Sequence, residues 1–113
     1  MLSVCIPCYK EASNLDFLLP KLINSIKDIG TEIEIIICDT MIPMDDTAQI
    51  CEKYANTTDS IIIRYVNREG GNHYGDAIRT IIDSALGDQI IIMDADGSHS
   101  PEDCRILYNT MNA

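Results

Sequence analysis

The sequence has no tryptophan, one phenylalanine, four prolines and six glycines in 113 residues. With 46% hydrophobic and 23% charged residues the composition is that of a globular chain and argues against disorder, and the length fits one domain spanning residues 1–113. Positive charge is scarce: Lys and Arg total 8 against 18 Asp and Glu, a formal net charge of −10. Such a surface repels nucleic-acid phosphates, so no nucleic-acid partner is expected. A phosphate-bearing small ligand needs a divalent cation, an Arg or backbone N–H groups to offset the repulsion. Long apolar runs are missing as well. Stretches such as Ile90–Met93 and Ile61–Ile63 fall far short of the roughly 20 residues a membrane helix needs. No basic stretch leads into an apolar one and a cleavage site, so no signal peptide is expected. The five cysteines (Cys5, Cys8, Cys38, Cys51, Cys104) are odd in number and sit mostly among apolar neighbours. They read as reduced core residues of a cytoplasmic protein, not as a disulfide framework.

What is present is an alternation of strand, loop and helix, repeated four times without an internal sequence repeat or a linker. The first strand is Leu2–Cys8. A helix is expected from about Asn14, with Ser13 as N-cap, Asp16 closing a capping-box-like pattern, and Leu15, Leu18, Leu19, Leu22, Ile23 and Ile26 on one face. Pro20 inside that pattern predicts a kink or a later start, and Gly30 a stop. The second strand is Ile33–Cys38, after which Asp46 can cap a helix carrying Ala48, Cys51, Tyr54 and Ala55 inward. The third strand is Ile61–Val66. A Gly-rich loop, Asn67–His73, leads into a helix over Tyr74–Leu86 with Ala77, Ile78, Ile81, Ile82 and Ala85 as its inward stripe and Gly87 as its stop. The fourth strand is Gln89–Met93. Ser100-Pro101-Glu102-Asp103 then supplies an N-cap, a proline at the first helical position and acids in the first turn. Strands this apolar are buried on both faces, as in parallel sheets, and the alternation predicts an α/β fold with right-handed crossovers. Ligands in such sheets bind beyond the carboxyl ends of the strands.

At those ends stand Tyr9, Lys10 and Glu11, then Asp39, then Asn67, Arg68, Glu69, Gly70 and Gly71, and finally Asp94, Asp96, Ser98 and His99. Asp94-Ala95-Asp96 is the sharpest of these. Residues two apart in extended chain point to one side, so the two carboxylates can hold one hard cation. Mg²⁺ takes one or two carboxylates, waters and substrate phosphates, and Mn²⁺ suits the same oxygens. Such an ion neutralises a diphosphate that this acidic chain would otherwise repel, and stabilises charge on a diphosphate leaving group. A lone Asp-x-Asp more often just ends a strand in a turn. Its place after a buried strand and before a capped helix reverses that preference. Asp39 is evenly balanced between hydrogen-bonding a ribose or base edge and capping a turn. Arg68 is evenly balanced between meeting a phosphate, with Gly70, Gly71 and Gly75 admitting backbone, and lying solvated in a flexible loop. The loop lacks the P-loop pattern and does not follow the first strand as a dinucleotide fingerprint does.

Other chemistry is weaker. His73 and His99 have no partner histidine at metal spacing and default to turn histidines. Cys5-Ile6-Pro7-Cys8 matches C-x-x-C, but a redox pair opens a helix, and this one lies in or at the end of a strand. Continued alternation would turn its two thiols to opposite faces. With no second C-x-x-C, a four-thiolate zinc site is not expected.

Several segments together resemble family 2 glycosyltransferases. Ser3-Val4-Cys5-Ile6-Pro7-Cys8-Tyr9-Lys10-Glu11-Ala12, with Asn14-Leu15, looks like the family's opening. Ile35–Asp39 followed by Asp46-Thr47-Ala48 resembles its second strand and loop, and Asn67-Arg68 through Gly75-Asp76-Ala77 its Gly-rich loop. Asp94-Ala95-Asp96-Gly97-Ser98-His99-Ser100-Pro101-Glu102 matches the form found in dolichyl-phosphate mannose synthase-like members. The resemblance implies a Rossmann-like, glycosyltransferase-A type parallel sheet that binds a nucleotide-diphospho-sugar. By it, Pro7, Tyr9, Glu11 and Asp39 surround the nucleoside and Arg68 lies near the nucleotide. Asp94, Ala95 and Asp96 meet the sugar-nucleotide, and Asp94, Asp96 and Ser98 the metal, Mg²⁺ or Mn²⁺. The donor is a GDP- or UDP-sugar. The implied acceptor is a polyprenyl phosphate whose phosphate oxygen attacks the anomeric carbon with inversion, at the cytoplasmic face of the membrane.

The chain departs from the pattern in places. Its second loop, Asp39-Thr40-Met41-Ile42-Pro43-Met44-Asp45-Asp46-Thr47, lacks the family's second Asp and its Gly-Ser. Lys10 replaces the usual Asn, Cys8 the usual Thr, and Gly97 an apolar residue. The chain also stops soon after the acidic pair, so a truncated catalytic domain is expected. The alternative is a non-catalytic module of the same fold that associates with a partner or with itself through an exposed sheet edge.

Overall fold

The computed structural model describes residues 1–113. Four strands alternate with four helices: β1 (Leu2–Pro7), α1 (Ala12–Ile26), β2 (Ile33–Asp39), α2 (Thr47–Tyr54), β3 (Ile61–Asn67), α3 (Tyr74–Ser84), β4 (Gln89–Ile92) and α4 (Pro101–Met111). The strands pair in parallel in the order β3-β2-β1-β4, the α/β architecture that the alternation predicts. No helix is long and apolar enough to cross a membrane.

The strand order decides where the helices go. From β1 to β3 the chain steps one way, and then it returns past β1 to lay down β4. A right-handed crossover in the reversed direction falls on the opposite face. One core accordingly joins Val4, Ile6, Ile35 and Ile37 to Leu15, Leu19 and Leu22 of α1, Cys51 of α2 and Cys104 of α4. The other joins Cys5, Ile36 and Cys38 to Ala77 and Ile81 of α3. β1 and β2 are buried at every residue because both faces are covered.

Helix boundaries differ from expectation for specific reasons. α1 begins at Ala12 with Glu11, not Ser13, at the N-cap. Asp16 closes no capping box, because its carboxylate accepts from the Tyr54 hydroxyl at 2.6 Å and from Lys53 Nζ at 3.0 Å. Pro20 neither delays nor ends the helix. It leaves the Asp16 carbonyl without its N–H donor, and the same Tyr54 hydroxyl lies 3.1 Å from that carbonyl. α2 has Asp46 at its N-cap but without a side-chain bond. Asp45 serves instead, accepting from the Thr47 hydroxyl at 2.6 Å and the Ala12 N–H at 3.0 Å, which ties the starts of α1 and α2 together. α3 ends at Ser84, two residues short, and Ile82 faces out. Gly87 is required for a different reason: a Cβ there would lie 2.6 Å from Ser3 Oγ and 2.7 Å from the Met1 carbonyl. α4 starts as expected, with Ser100 as N-cap and Pro101 first.

One buried charge holds the far end of the sheet. Glu34 on β2 is fully buried. It accepts from Ser3 Oγ at 2.6 Å, the Leu86 N–H at 2.6 Å and Arg64 Nη1 at 2.7 Å, and Arg64 also donates to the Ser84 carbonyl at 2.8 Å. These bonds clamp the α3–β4 connection to β1, β2 and β3, and so set the level of β4. Burial alone would raise the Glu34 carboxyl, but the bonds from Ser3, Leu86 and Arg64 outweigh it and hold the group below the usual carboxylate range.

Lys10, between β1 and α1, has φ 55°, a conformation glycine and asparagine adopt far more readily than lysine.

Two measurements check these points. Glu34→Gln is expected to cost about 3 kcal/mol in urea unfolding, because it leaves the Arg64 charge half-buried and unpaired. A carboxyl held low in the folded state stabilises above its unfolded value and loses that contribution as pH falls through the carboxylate range. The wild type should therefore lose stability below about pH 5, and Glu34→Gln should show a flatter acid limb. Lys10→Asn should raise stability by about 0.5–1 kcal/mol in the same assay by relieving the left-handed backbone.

Candidate functional site

The reversal of strand order opens a crevice at the carboxyl ends of β1 and β4, where a cavity of about 300 Å³ lies. The end of β1 contributes Pro7, then Tyr9 and Glu11. Asp94, Ala95 and Asp96 line it from the end of β4, and Arg68 reaches in from the loop after β3. The structure thus gathers every residue predicted to contact the sugar-nucleotide except Asp39. Asn72 and Tyr74 complete the lining.

Arg68 holds the crevice together. It is 5% exposed. One guanidinium nitrogen, Nη2, donates to the Cys8 carbonyl at the end of β1; Nη1 donates to the carbonyls of Asn72 at 2.9 Å and His73 at 3.2 Å. The guanidinium also lies 5.8 Å from the centre of the Tyr9 ring. Its Nε is buried with no hydrogen-bond partner. A buried donor left unmade is costly, and the residue as a whole is the one cation lining the cavity. The loop that Arg68 secures turns at Gly70, φ +87°.

The acidic pair stands opposite. Asp94 is half-buried and Asp96 exposed. Asp96 Oδ1 accepts the Ser98 N–H at 3.0 Å. Hydrogen bonding from Ser98, with the nearby His99, keeps its carboxyl below the ordinary range, so it is anionic at neutral pH. His99 Nδ1 accepts the Asp94 N–H at 3.2 Å, which gives His99 the turn-holding role expected of it. Ser98 lies on the same loop but outside the cavity lining. No group of three or more His, Cys, Asp or Glu forms a closed cage. Two oxygen-donor carboxylates at an open wall are instead the donor set that suits Mg²⁺ or Mn²⁺ sharing its shell with water and phosphate.

Asp39 is elsewhere employed. It is fully buried and accepts from the Thr40 N–H at 2.8 Å and the Tyr65 hydroxyl at 2.7 Å. Burial, and then this bond, push the Tyr65 hydroxyl up to about 12. Asn67 Nδ2 donates to the Tyr65 oxygen at 3.1 Å and the Thr40 carbonyl at 2.9 Å. Asp39 thus builds the turn after β2, the turn-capping half of the sequence reading.

The remaining candidates are structural. His73 is the N-cap of α3, where Asp76 accepts its N–H at 3.1 Å. Cys5 and Cys8 are free, buried and on opposite faces of the sheet. Burial pushes the Cys5 thiol up to about 12 and raises Cys8 also, the reverse of what a redox pair needs. Sequence reasoning missed Asn72 and Tyr74. A polar-aromatic junction between a Gly-rich loop and a capped helix was the available signal. Nothing in the sequence marked Tyr65 as the partner of Asp39.

Comparison with known proteins places this geometry. The chain is 37% identical over 109 residues to the undecaprenyl-phosphate 4-deoxy-4-formamido-L-arabinose transferase of Proteus mirabilis, covering 96% of this chain and 32% of that protein. It is 34% identical to the protein of the same name from Photorhabdus laumondii, covering 96% and 33%. The chain therefore spans about a third of the length of these relatives. Among solved structures, the mannosyltransferase PcManGT from Pyrobaculum calidifontis, in complex with GDP-Man and Mn²⁺, superposes with a TM-score of 0.69 at 22% identity, over 84% of this chain and 27% of that one. S. aureus TarS 1-349 in complex with UDP gives 0.67 at 23% identity, over 98% and 32%. These likenesses establish the glycosyltransferase-A type of the sheet. The pattern of Glycosyl transferase family 2 matches residues 3–113 from the first strand through the last helix, and the chain belongs to that family.

Proposed function

We propose that the chain is the nucleotide-diphospho-sugar-binding part of an inverting glycosyltransferase, taking a GDP- or UDP-sugar as donor and a polyprenyl phosphate as acceptor. The observation that carries this reading is the convergence, in one crevice, of Asp94 and Asp96 with the buried guanidinium of Arg68. A cavity lined by carboxylates and one guanidinium suits a ligand that is part metal-bound phosphate and part neutral or anionic oxygen. GDP-Man with Mn²⁺ and UDP in the neighbouring structures support the donor class. The relatives' names support a lipid-phosphate acceptor, as does the likeness of Asp94–Glu102 to dolichyl-phosphate mannose synthases.

In this reading Asp94 and Asp96, with Ser98 nearby, hold Mg²⁺ or Mn²⁺. When bound, that ion supplies positive charge to the diphosphate and to the leaving group. Pro7, Tyr9 and Glu11 surround the nucleoside, and Arg68 lies near the nucleotide. Asp39 acts through the turn it braces. The acceptor phosphate oxygen forms the new bond at the anomeric carbon. The bond to the diphosphate breaks from the opposite side and its electron pair leaves with the nucleoside diphosphate. A phosphate monoester is already an anion at neutral pH, so this step calls for no strong protein base, and the crevice offers none beyond its acids.

Titration calorimetry of the chain with GDP- and UDP-sugars checks the reading. Binding is expected with one of the two nucleotides and Mn²⁺, and Asp96→Asn should weaken it at least about ten-fold. Heats that ignore Mn²⁺ and the Asp96→Asn change would remove the donor assignment.

A further inference from the structure

Five of the large hydrophobic side chains that the fold leaves exposed lie along the carboxyl edge of the sheet, the edge that carries the cavity. Tyr9 and Tyr74 stand at the cavity itself. Met41, Ile42 and Met44 sit together on the loop between β2 and α2, with Ile42 76% exposed. An apolar cluster at a loop tip ordinarily folds back onto the protein or marks a contact surface. This one cannot fold back, because its backbone is pinned. Asn72 Oδ1 accepts the Met41 N–H at 2.8 Å, Thr40 Oγ1 donates to the Ile42 carbonyl at 2.7 Å, and Asn67 Nδ2 holds the Thr40 carbonyl at 2.9 Å. Beyond the tip, Asp45 accepts the Thr47 and Ala12 N–H groups at 3.1 and 3.0 Å. The result is a rigid apolar tip, tied to the cavity rim through Asn72.

We propose that Met41, Ile42 and Met44 insert into the interfacial layer of a lipid bilayer and set the cavity mouth against it. The inference rests on the polyprenyl-phosphate reading. A lipid phosphate stays at headgroup depth, so the cavity must open toward the bilayer, and an apolar tip on the same edge meets the acyl boundary. The charges on that edge select the surface. Glu11, Asp46, Glu69, Asp76, Asp94 and Asp96 lie on it, against the exposed Lys10 and Arg79 and the buried Arg68. Anionic headgroups supply no attraction here. Binding is therefore apolar, insensitive to salt and stronger on zwitterionic than on anionic vesicles. Three side chains give a weak, reversible contact of the kind one acyl chain gives.

The absence of tryptophan supplies the test, since a single substitution introduces the only one. With phosphatidylcholine vesicles, the Ile42→Trp variant should shift its emission to the blue and be quenched by brominated lipid. The Phe17→Trp variant, on the exposed face of α1, should do neither. In flotation, the double variant Ile42→Asp/Met44→Asp should lose roughly ten-fold or more of the vesicle-bound protein, and adding phosphatidylglycerol should weaken the wild type. Emission of Ile42→Trp unchanged by vesicles overturns the proposal. So does an equal shift for Phe17→Trp, or a shift that follows protein concentration without vesicles, which would give the tip to a second copy of the chain. Calorimetry separates the two readings. Vesicle insertion without Mn²⁺-dependent sugar-nucleotide binding sinks the donor assignment and leaves the lipid contact standing. Donor binding without insertion does the opposite.

Discussion

The handedness of parallel crossovers is the constraint on which the rest of this molecule depends. Three strands laid side by side in one direction place α1 and α2 on one face of the sheet. The return to the far side of β1 carries α3 across the other face. That reversal leaves the ends of β1 and β4 adjacent with their connections diverging, and the crevice between them is where every polar group of the site collects. Two buried charges then fix the geometry from opposite ends. Glu34 clamps the α3–β4 connection at the amino end of the strands, while Arg68 bridges the β1 terminus to the loop after β3 at the carboxyl end. Without the first, β4 has no fixed level. Without the second, the wall opposite Asp94 and Asp96 has no anchor.

Electrostatics sets the character of the site. A chain of net charge −10 that places two of its carboxylates on a cavity wall does not attract phosphate unaided. Two such carboxylates are a donor set that suits a hard cation able to share its shell with a ligand. Arg68 is the one cation built into the cavity, and most of its donors are spent on backbone carbonyls. Its role is structural first, and its Nε is buried without a partner. Acidity around the rim also makes the apolar loop after β2 informative. Hydrophobic side chains among carboxylates are held out by hydrogen bonds to the backbone on either side, not by any favourable surface chemistry of their own.

Much of this was legible before the structure. The four strands and four helices follow from apolar runs and helical stripes, and the start of α4 from Ser100-Pro101. Of the seven residues that gather at the cavity, Tyr9, Glu11, Arg68, Asp94 and Asp96 were readable because the carboxyl-end rule needs only the order of strands along the chain, and Pro7 and Ala95 came from the resemblance to family 2 glycosyltransferases. The errors share one cause. Ser13 and Asp16 form a good local capping pattern, yet Tyr54 and Lys53, far along the chain, claim Asp16. Pro20 is a local helix breaker whose orphaned carbonyl finds that same distant hydroxyl. Asp39, left open by the sequence between a ligand contact and a turn cap, is held from the neighbouring strand by Tyr65.

Periodicity and turn chemistry were thus enough for the class of fold, the direction in which ligands lie and the pair of acids best suited to a cation, because each rests on neighbours within a few residues. Which acids remain free, which arginine is buried and which loop is left apolar in solvent depended on partners brought together across 26 residues between Asp39 and Tyr65, 52 between Glu34 and Leu86, and 60 between Cys8 and Arg68. Burial and hydrogen-bond satisfaction belong to the assembled sheet, and no local pattern encodes them.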